Sequence, residues 1–101
     1  MGPVIFTYTE QAIMRKFIIE RNIAGAGDMS AEELHKIAEC SNSVVSELDA
    51  PYHWIQSFVT GDRIYCVHIA PDEETVREHA RRGGFPADDV REIKTTIDPT
   101  S

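Results

Sequence analysis

The chain has 101 residues, enough for one hydrophobic core and too few for two, so one domain carries every property it has. Its 10 Lys and Arg against 17 Asp and Glu give a formal charge of -7, which repels polyanions and argues against a general nucleic-acid or anionic-membrane surface. At 42% hydrophobic and 27% charged it has a globular composition, and no apolar run approaches the ~20 residues that span a bilayer.

The opening MGPVIFTYTEQAIM lacks a basic n-region and a long apolar h-region, so a cytoplasmic location is expected. Cys40 and Cys66 agree with a reducing compartment, and no disulfide is predicted between them. A first strand is predicted over Lys16–Asn22, rich in β-branched and aromatic residues and ended by Ala24-Gly25-Ala26-Gly27. That loop holds only G-x-G and is followed by Asp28-Met29 rather than by a helix, so it is not a phosphate cradle.

Ser30 with Glu33 three residues on forms a capping box, which opens a helix whose apolar stripe is Leu34, Ile37, Ala38, Val44, Val45 and Leu48. Pro51 disfavours helical backbone before it, so Asp49-Ala50-Pro51 ends that helix. Strands are predicted over Tyr52–Thr60 and Arg63–Ala70, joined by Gly61-Asp62 as a two-residue hairpin turn. With Thr60 opposite Arg63, Ser57 faces Cys66 and Ile55 faces His68; Trp54, Phe58, Tyr65, Val67 and Ile69 fall on the other face, which is expected to pack under the helices. A second helix runs from Glu73 to Arg82, with Asp72 as N-cap, acidic residues in its first turn, Arg81-Arg82 in its last, and Gly83-Gly84 as its stop. Val90–Ile97 is the last predicted strand.

This order, β-α-β-β-α-β, is that of an α+β ferredoxin-like plait: a four-stranded antiparallel sheet with two helices on one face, placed there by right-handed crossovers. The open face is expected to show Ile55, Val59 and Ile64 beside His53, Ser57, Cys66 and His68, too apolar for plain solvent. A homodimer that stacks two such faces into a dimeric α/β barrel is therefore expected.

Five blocks then bring a family into view: FIIERNIAGAG at Phe17–Gly27, SAEEL at Ser30–Leu34, Ser41-Asn42, WIQSFVT at Trp54–Thr60, and IYCVHIAPDEETVREHARRGGFPA at Ile64–Ala87. Together they make the chain, from Arg15 to about Pro99, resemble a family of small bacterial ferredoxin-like proteins of unknown function that includes a nickel-binding member. The resemblance implies a compact dimeric domain with transition-metal binding, nickel or zinc. It begins after Met14, so residues 1–13 read as an N-terminal extension and 14–101 as the domain. The family pattern carries a histidine where this chain has Gln56 and an aromatic where it has His68, so no ligand set transfers intact.

Read from the residues, the candidate metal ligands are His53, Cys66 and His68, expected on one sheet face, with Glu20 from the neighbouring strand. Imidazole with thiolate suits zinc, nickel or copper. The same residues have a structural reading, with Cys66 a small buried hydrophobe and the histidines hydrogen-bonded at the dimer interface. His79, on the inward stripe of the second helix, is either an acid-base group with Glu78 or a histidine that fixes its helix against the sheet through a sheet or loop carbonyl. His35 and Cys40 lie off the apolar stripe, and no G-x-S-x-G elbow surrounds Ser41, Ser43 or Ser57, which argues against hydrolase chemistry. Trp54, Phe58 and Tyr65 resemble the stacking aromatics of RNA-binding plaits but lack a basic surround, so no nucleic-acid partner is expected. The second functional reading is a small molecule bound, or turned over, in a cavity between the sheets of the dimer, with Glu20, His68 or His79 as acid-base groups.

Overall fold

The computed structural model describes residues 14–101, and the expected extension at residues 1–13 lies outside the described residues. Strand β1 (Arg15–Asn22) is followed by a 3-10 turn at Ala26–Asp28, helix α1 (Ala31–Glu47), the hairpin β2 (His53–Val59) and β3 (Arg63–Ala70), helix α2 (Glu73–Gly83) and strand β4 (Asp89–Glu92). The strands form one antiparallel sheet in the order β2-β3-β1-β4. This is the ferredoxin-like α+β plait that the order of elements predicts.

Local chemistry sets the helix ends. Ser30 Oγ accepts from the Glu33 amide at 3.1 Å while the Glu33 carboxylate accepts from the Ser30 amide at 2.9 Å, so the capping box is complete. Asp72 accepts from the Thr75 amide at the start of α2, and Gly84, with φ 72°, ends it in the left-handed region that suits glycine. At Gly83 a side chain would collide with the ring of Phe85, so the missing Cβ is what lets that ring fold back over the helix.

The core lies between the sheet and the helices. Phe17, Ile19, Ile64, Ala70 and Val90 from the strands meet Val76 from α2, with Ala26 and Tyr52 closing the ends. In β1 the buried positions are Phe17, Ile19 and Arg21, and in β3 they are Ile64, Cys66, His68 and Ala70, each a strict alternation. The helix-covered face is thus the one that holds Cys66 and His68, the reverse of the expected assignment. The aromatic face that the sequence suggested for the core, with Phe58 49% exposed and Tyr65 partly so, is the uncovered one.

Two further expectations are corrected. Ser57 does face Cys66, but a bulge between Trp54 and Gln56 puts Trp54, not Ile55, opposite His68. The last strand ends at Glu92 rather than Ile97, because β1 begins at Arg15 and leaves almost nothing to pair with beyond the bond from the Ile93 amide to the Lys16 carbonyl. Ile97 is 80% exposed as a result.

The alternation makes a prediction about stability. Ile19 has no exposure, so Ile19→Ala is expected to destabilise the fold by about 2–5 kcal/mol. Ile97→Ala is expected to change stability by less than about 0.5 kcal/mol. The midpoints of urea unfolding for the two variants check this.

Candidate functional site

A row of polar side chains is buried on the helix-covered face. Arg21 and Cys66 project from neighbouring strands at adjacent register positions, and His68 follows Cys66 two residues along β3. Tyr52, in the link from α1 to β2, reaches over the sheet, Ser41 comes from α1, and His79 comes from α2. Arg21 is 3% exposed, His68 1% and His79 0%. Polar groups buried to this extent require hydrogen-bond partners, and nearly all have them.

The Tyr52 hydroxyl and His68 Nδ1 are hydrogen-bonded. Burial pushes the Tyr52 phenol well above its ordinary value, so it stays protonated and donates. Burial, reinforced by His79 and the Arg21 guanidinium, lowers the His68 imidazole to about 3, so it is neutral near pH 7. A neutral imidazole that accepts at Nδ1 carries its proton on Nε2. His79 Nε2 lies 3.2 Å from Ser41 Oγ and 3.4 Å from the Ser41 carbonyl oxygen. A carbonyl only accepts, so His79 Nε2 is the protonated nitrogen and Nδ1 bears a lone pair. That Nδ1 is buried and has no hydrogen-bond partner among the described residues. Burial lowers the His79 imidazole too.

The sulfur of Cys66 accepts twice, from Arg21 Nε at 3.2 Å and from Ser57 Oγ at 3.0 Å, and Ser57 in turn accepts from Trp54 Nε1 at 3.0 Å. Arg21 Nη1 donates to the Pro86 carbonyl at 2.6 Å, and the guanidinium lies 5.4 Å from the centre of the Phe85 ring. Tyr52 and Phe85 each stack on His79, at 5.1 and 5.7 Å between ring centres. A cavity of about 40 Å³ lies among these groups, walled by Arg21, Ser41, Trp54, His68, His79 and Phe85 with their neighbours.

The four candidate metal ligands do not converge. Cys66 and His68 line the cavity beneath the helices, whereas Glu20 pairs with Tyr65 and His53 with Ile69, on the open face. Glu20 there is 3.4 Å from Arg63 Nε, and His53 is exposed. Among the described residues no three His, Cys, Asp or Glu side chains stand close enough to hold one ion. The bulge carries His53 to the side of the sheet away from Cys66 and His68, and the β1–β3 register sets Glu20 beside Tyr65 rather than Cys66, since period 2 sends alternate residues to opposite sides of the sheet. His79 does fix its helix through a carbonyl, but the carbonyl belongs to α1 rather than to the sheet or a loop. His35 is exposed beside Glu39, and the two cysteines are free thiols, Cys40 exposed and Cys66 buried.

Sequence reasoning missed Arg21, Tyr52 and Phe85. The alternation Phe17, Ile19, Arg21 carries a signal for the first, since an arginine in phase with two apolar residues belongs to the buried face. Tyr52 and Phe85 lie in links outside any period, and only the fold brings their rings to His79.

Fold and pocket together define a small ferredoxin-like α+β domain whose buried face is polar at its centre. The chain belongs to the nickel responsive protein SCO4226-like family, whose sequence model matches residues 17–93. The crystal structure of SCO4226 from Streptomyces coelicolor A3(2) is similar in fold, with a TM-score of 0.69 at 21% identity over 81% of this chain and 99% of that one. No curated protein sequence matches the chain significantly.

The neutral buried histidines predict a pH dependence. Below the ordinary histidine value of about 6.5 the unfolded chain takes up protons that folded His68 refuses down to about 3. Their contribution to stability is therefore complete above that window and lost as pH falls through it. His68→Gln, which keeps an acceptor for Tyr52, is expected to flatten this dependence relative to the unaltered protein. Urea midpoints measured from about pH 7 to about pH 4 test it.

Proposed function

We propose that this protein binds a divalent transition metal, nickel foremost, as part of a response to nickel, and that it does so as a homodimer joined through the open sheet face. The observation that carries the reading is the character of that face. No helix of the described chain covers it, its apolar residues include Ile18, Phe58, Tyr65, Val67 and Ile69, and His53 and Glu20 stand among them. An apolar face of this kind is an interaction surface, and a second copy presents a self-complementary one. Family membership supports nickel as the ion.

Imidazole and carboxylate are donors that suit nickel and zinc. One chain does not fit the ion, because His53 and Glu20 stand opposite β3 residues four positions apart, at Ile69 and Tyr65. Two copies related by a two-fold axis would supply two His53 and two Glu20 to one interface. Glu20 would exchange its Arg63 partner for the metal, at little loss, because an exposed ion pair contributes about 0–1 kcal/mol. Cys66 and His68 keep to the interior in this assignment.

The decisive experiment is elemental analysis of the untagged protein, purified without chelator, then equilibrated with nickel and passed over a sizing column. Near-stoichiometric nickel on a dimer is expected, lost in His53→Ala/Glu20→Gln and retained in Cys66→Ala. Metal retained by the first variant and lost by the second would return the ion to the interior. A protein that takes up neither nickel nor zinc sinks the reading.

A further inference from the structure

The chain beyond β4 has the composition of a strand and no strand to pair with. Ile93–Ile97 reads IKTTI, in which every residue but Lys94 is β-branched. Among the described residues its backbone makes a single bond to another main-chain group, from the Ile93 amide to the Lys16 carbonyl. Lys94, Thr95, Thr96 and Ile97 are exposed, and Ile97, at 80%, is the most exposed large hydrophobic residue described. The stretch stops there, because bonds from the Asp98 amide to Ser101 Oγ and from the Thr100 amide to the Asp98 carboxylate turn the chain.

The opposite edge of the sheet presents the complement. There β2 is the outer strand, and among the described residues no backbone bond leaves its free side. Between the bulge and the hairpin turn it offers Gln56–Val59, a stretch as long as Lys94–Ile97, with Phe58 49% and Val59 42% exposed. Gln56–Val59 contains neither lysine nor proline, the residues that protect a free edge from another strand. The C-terminal segment does not reach the β2 of its own chain. Two strands, β3 and β1, separate the edges by roughly 14 Å, and Ile93 is held against β1.

We infer that Lys94–Ile97 of one copy pairs as a strand with the free edge of β2 in a second copy, at Gln56–Val59, so that each copy extends the sheet of the other. This rests on the homodimer proposed above and assigns it a second set of contacts. Arg91 stands opposite Ile18, on the open side of the sheet, so alternation carries Ile93, Thr95 and Ile97 to that side as well. Paired with the second copy, they continue its apolar face beyond Phe58. The exposed Ile97 is buried there, and a two-fold axis makes the contact twice.

Hydrogen exchange and sedimentation of the full chain, at concentrations that span dissociation of the dimer, test this. The partner-facing amides of Lys94–Ile97 and the outward amides of Gln56–Val59 are expected to exchange freely in the dilute monomer. They are expected to gain protection together as the dimer forms. Thr95→Pro/Thr96→Pro removes one N–H from each side of the segment at two exposed positions. It is expected to weaken dimerisation at least about tenfold with the circular dichroism unchanged. A dimer in which either stretch stays unprotected, or a proline variant that dimerises like the unaltered protein, overturns the inference and leaves the open-face dimer standing. Protection already complete in the monomer assigns the segment to its own chain and overturns it likewise. A protein that stays monomeric throughout overturns both the inference and the dimer.

Discussion

Everything in this domain is arranged around one demand, that an arginine, a thiol and two imidazoles placed in the interior must each find a hydrogen-bond partner. Transfer of an unpaired polar group from water to a dry interior costs about 1–3 kcal/mol in proteins, and more for a charge. The domain meets the demand by drawing partners from four separate segments: Tyr52 from a link, Ser41 from α1, Ser57 from β2 and the Pro86 carbonyl from the loop after α2. These bonds do more than satisfy. They set the position of α2 on α1 through His79 and Ser41, and they fold the loop after α2 back against β1 through Arg21 and Pro86.

The two sheet faces have exchanged their usual characters. The covered face is polar at its centre, with apolar residues such as Phe17, Ile19 and Val76 around that centre, while the uncovered face carries Phe58, Tyr65, Val67 and Ile69. Area burial alone favours the opposite arrangement, since an aromatic side chain buries 150–250 Å² or so and Cys66 much less. The interior arrangement stands because its polar groups satisfy one another and because three rings, Tyr52, His79 and Phe85, stack there and supply the aromatic burial from outside the strands.

The neutral state of the histidines belongs to the same economy of charge. Burial disfavours the charged form of both His68 and His79, and the Arg21 guanidinium adds to it by opposing a second positive charge nearby. A neutral imidazole has one donor and one acceptor rather than two donors. Each ring is thereby tied to the protein through one nitrogen, which determines what the other nitrogen offers.

The helices, the hairpin, the order of elements and the family were legible in the sequence, because each depends on neighbours in the chain. Ser30 and Glu33 cap one another across three residues, Gly61-Asp62 turns a hairpin, and Asp72 with Gly84 brackets a helix whose buried residues Val76, His79 and Ala80 follow its own period. Period 2 also showed which residues share a face, and Ser57 opposite Cys66 followed from the turn. It could not show which face the helices cover, because alternation is symmetric between the two sides. That choice rests on the packing of Val76, Tyr52 and Phe85, which sequence distance hides. Nor could it show the bulge at Ile55, which shifts the phase of β2 by one residue and separates His53 from His68. The sequence therefore determined the elements and the candidate residues, while only the tertiary structure decided which of them meet, since a side chain's face is a property of the sheet's surroundings and not of its strand.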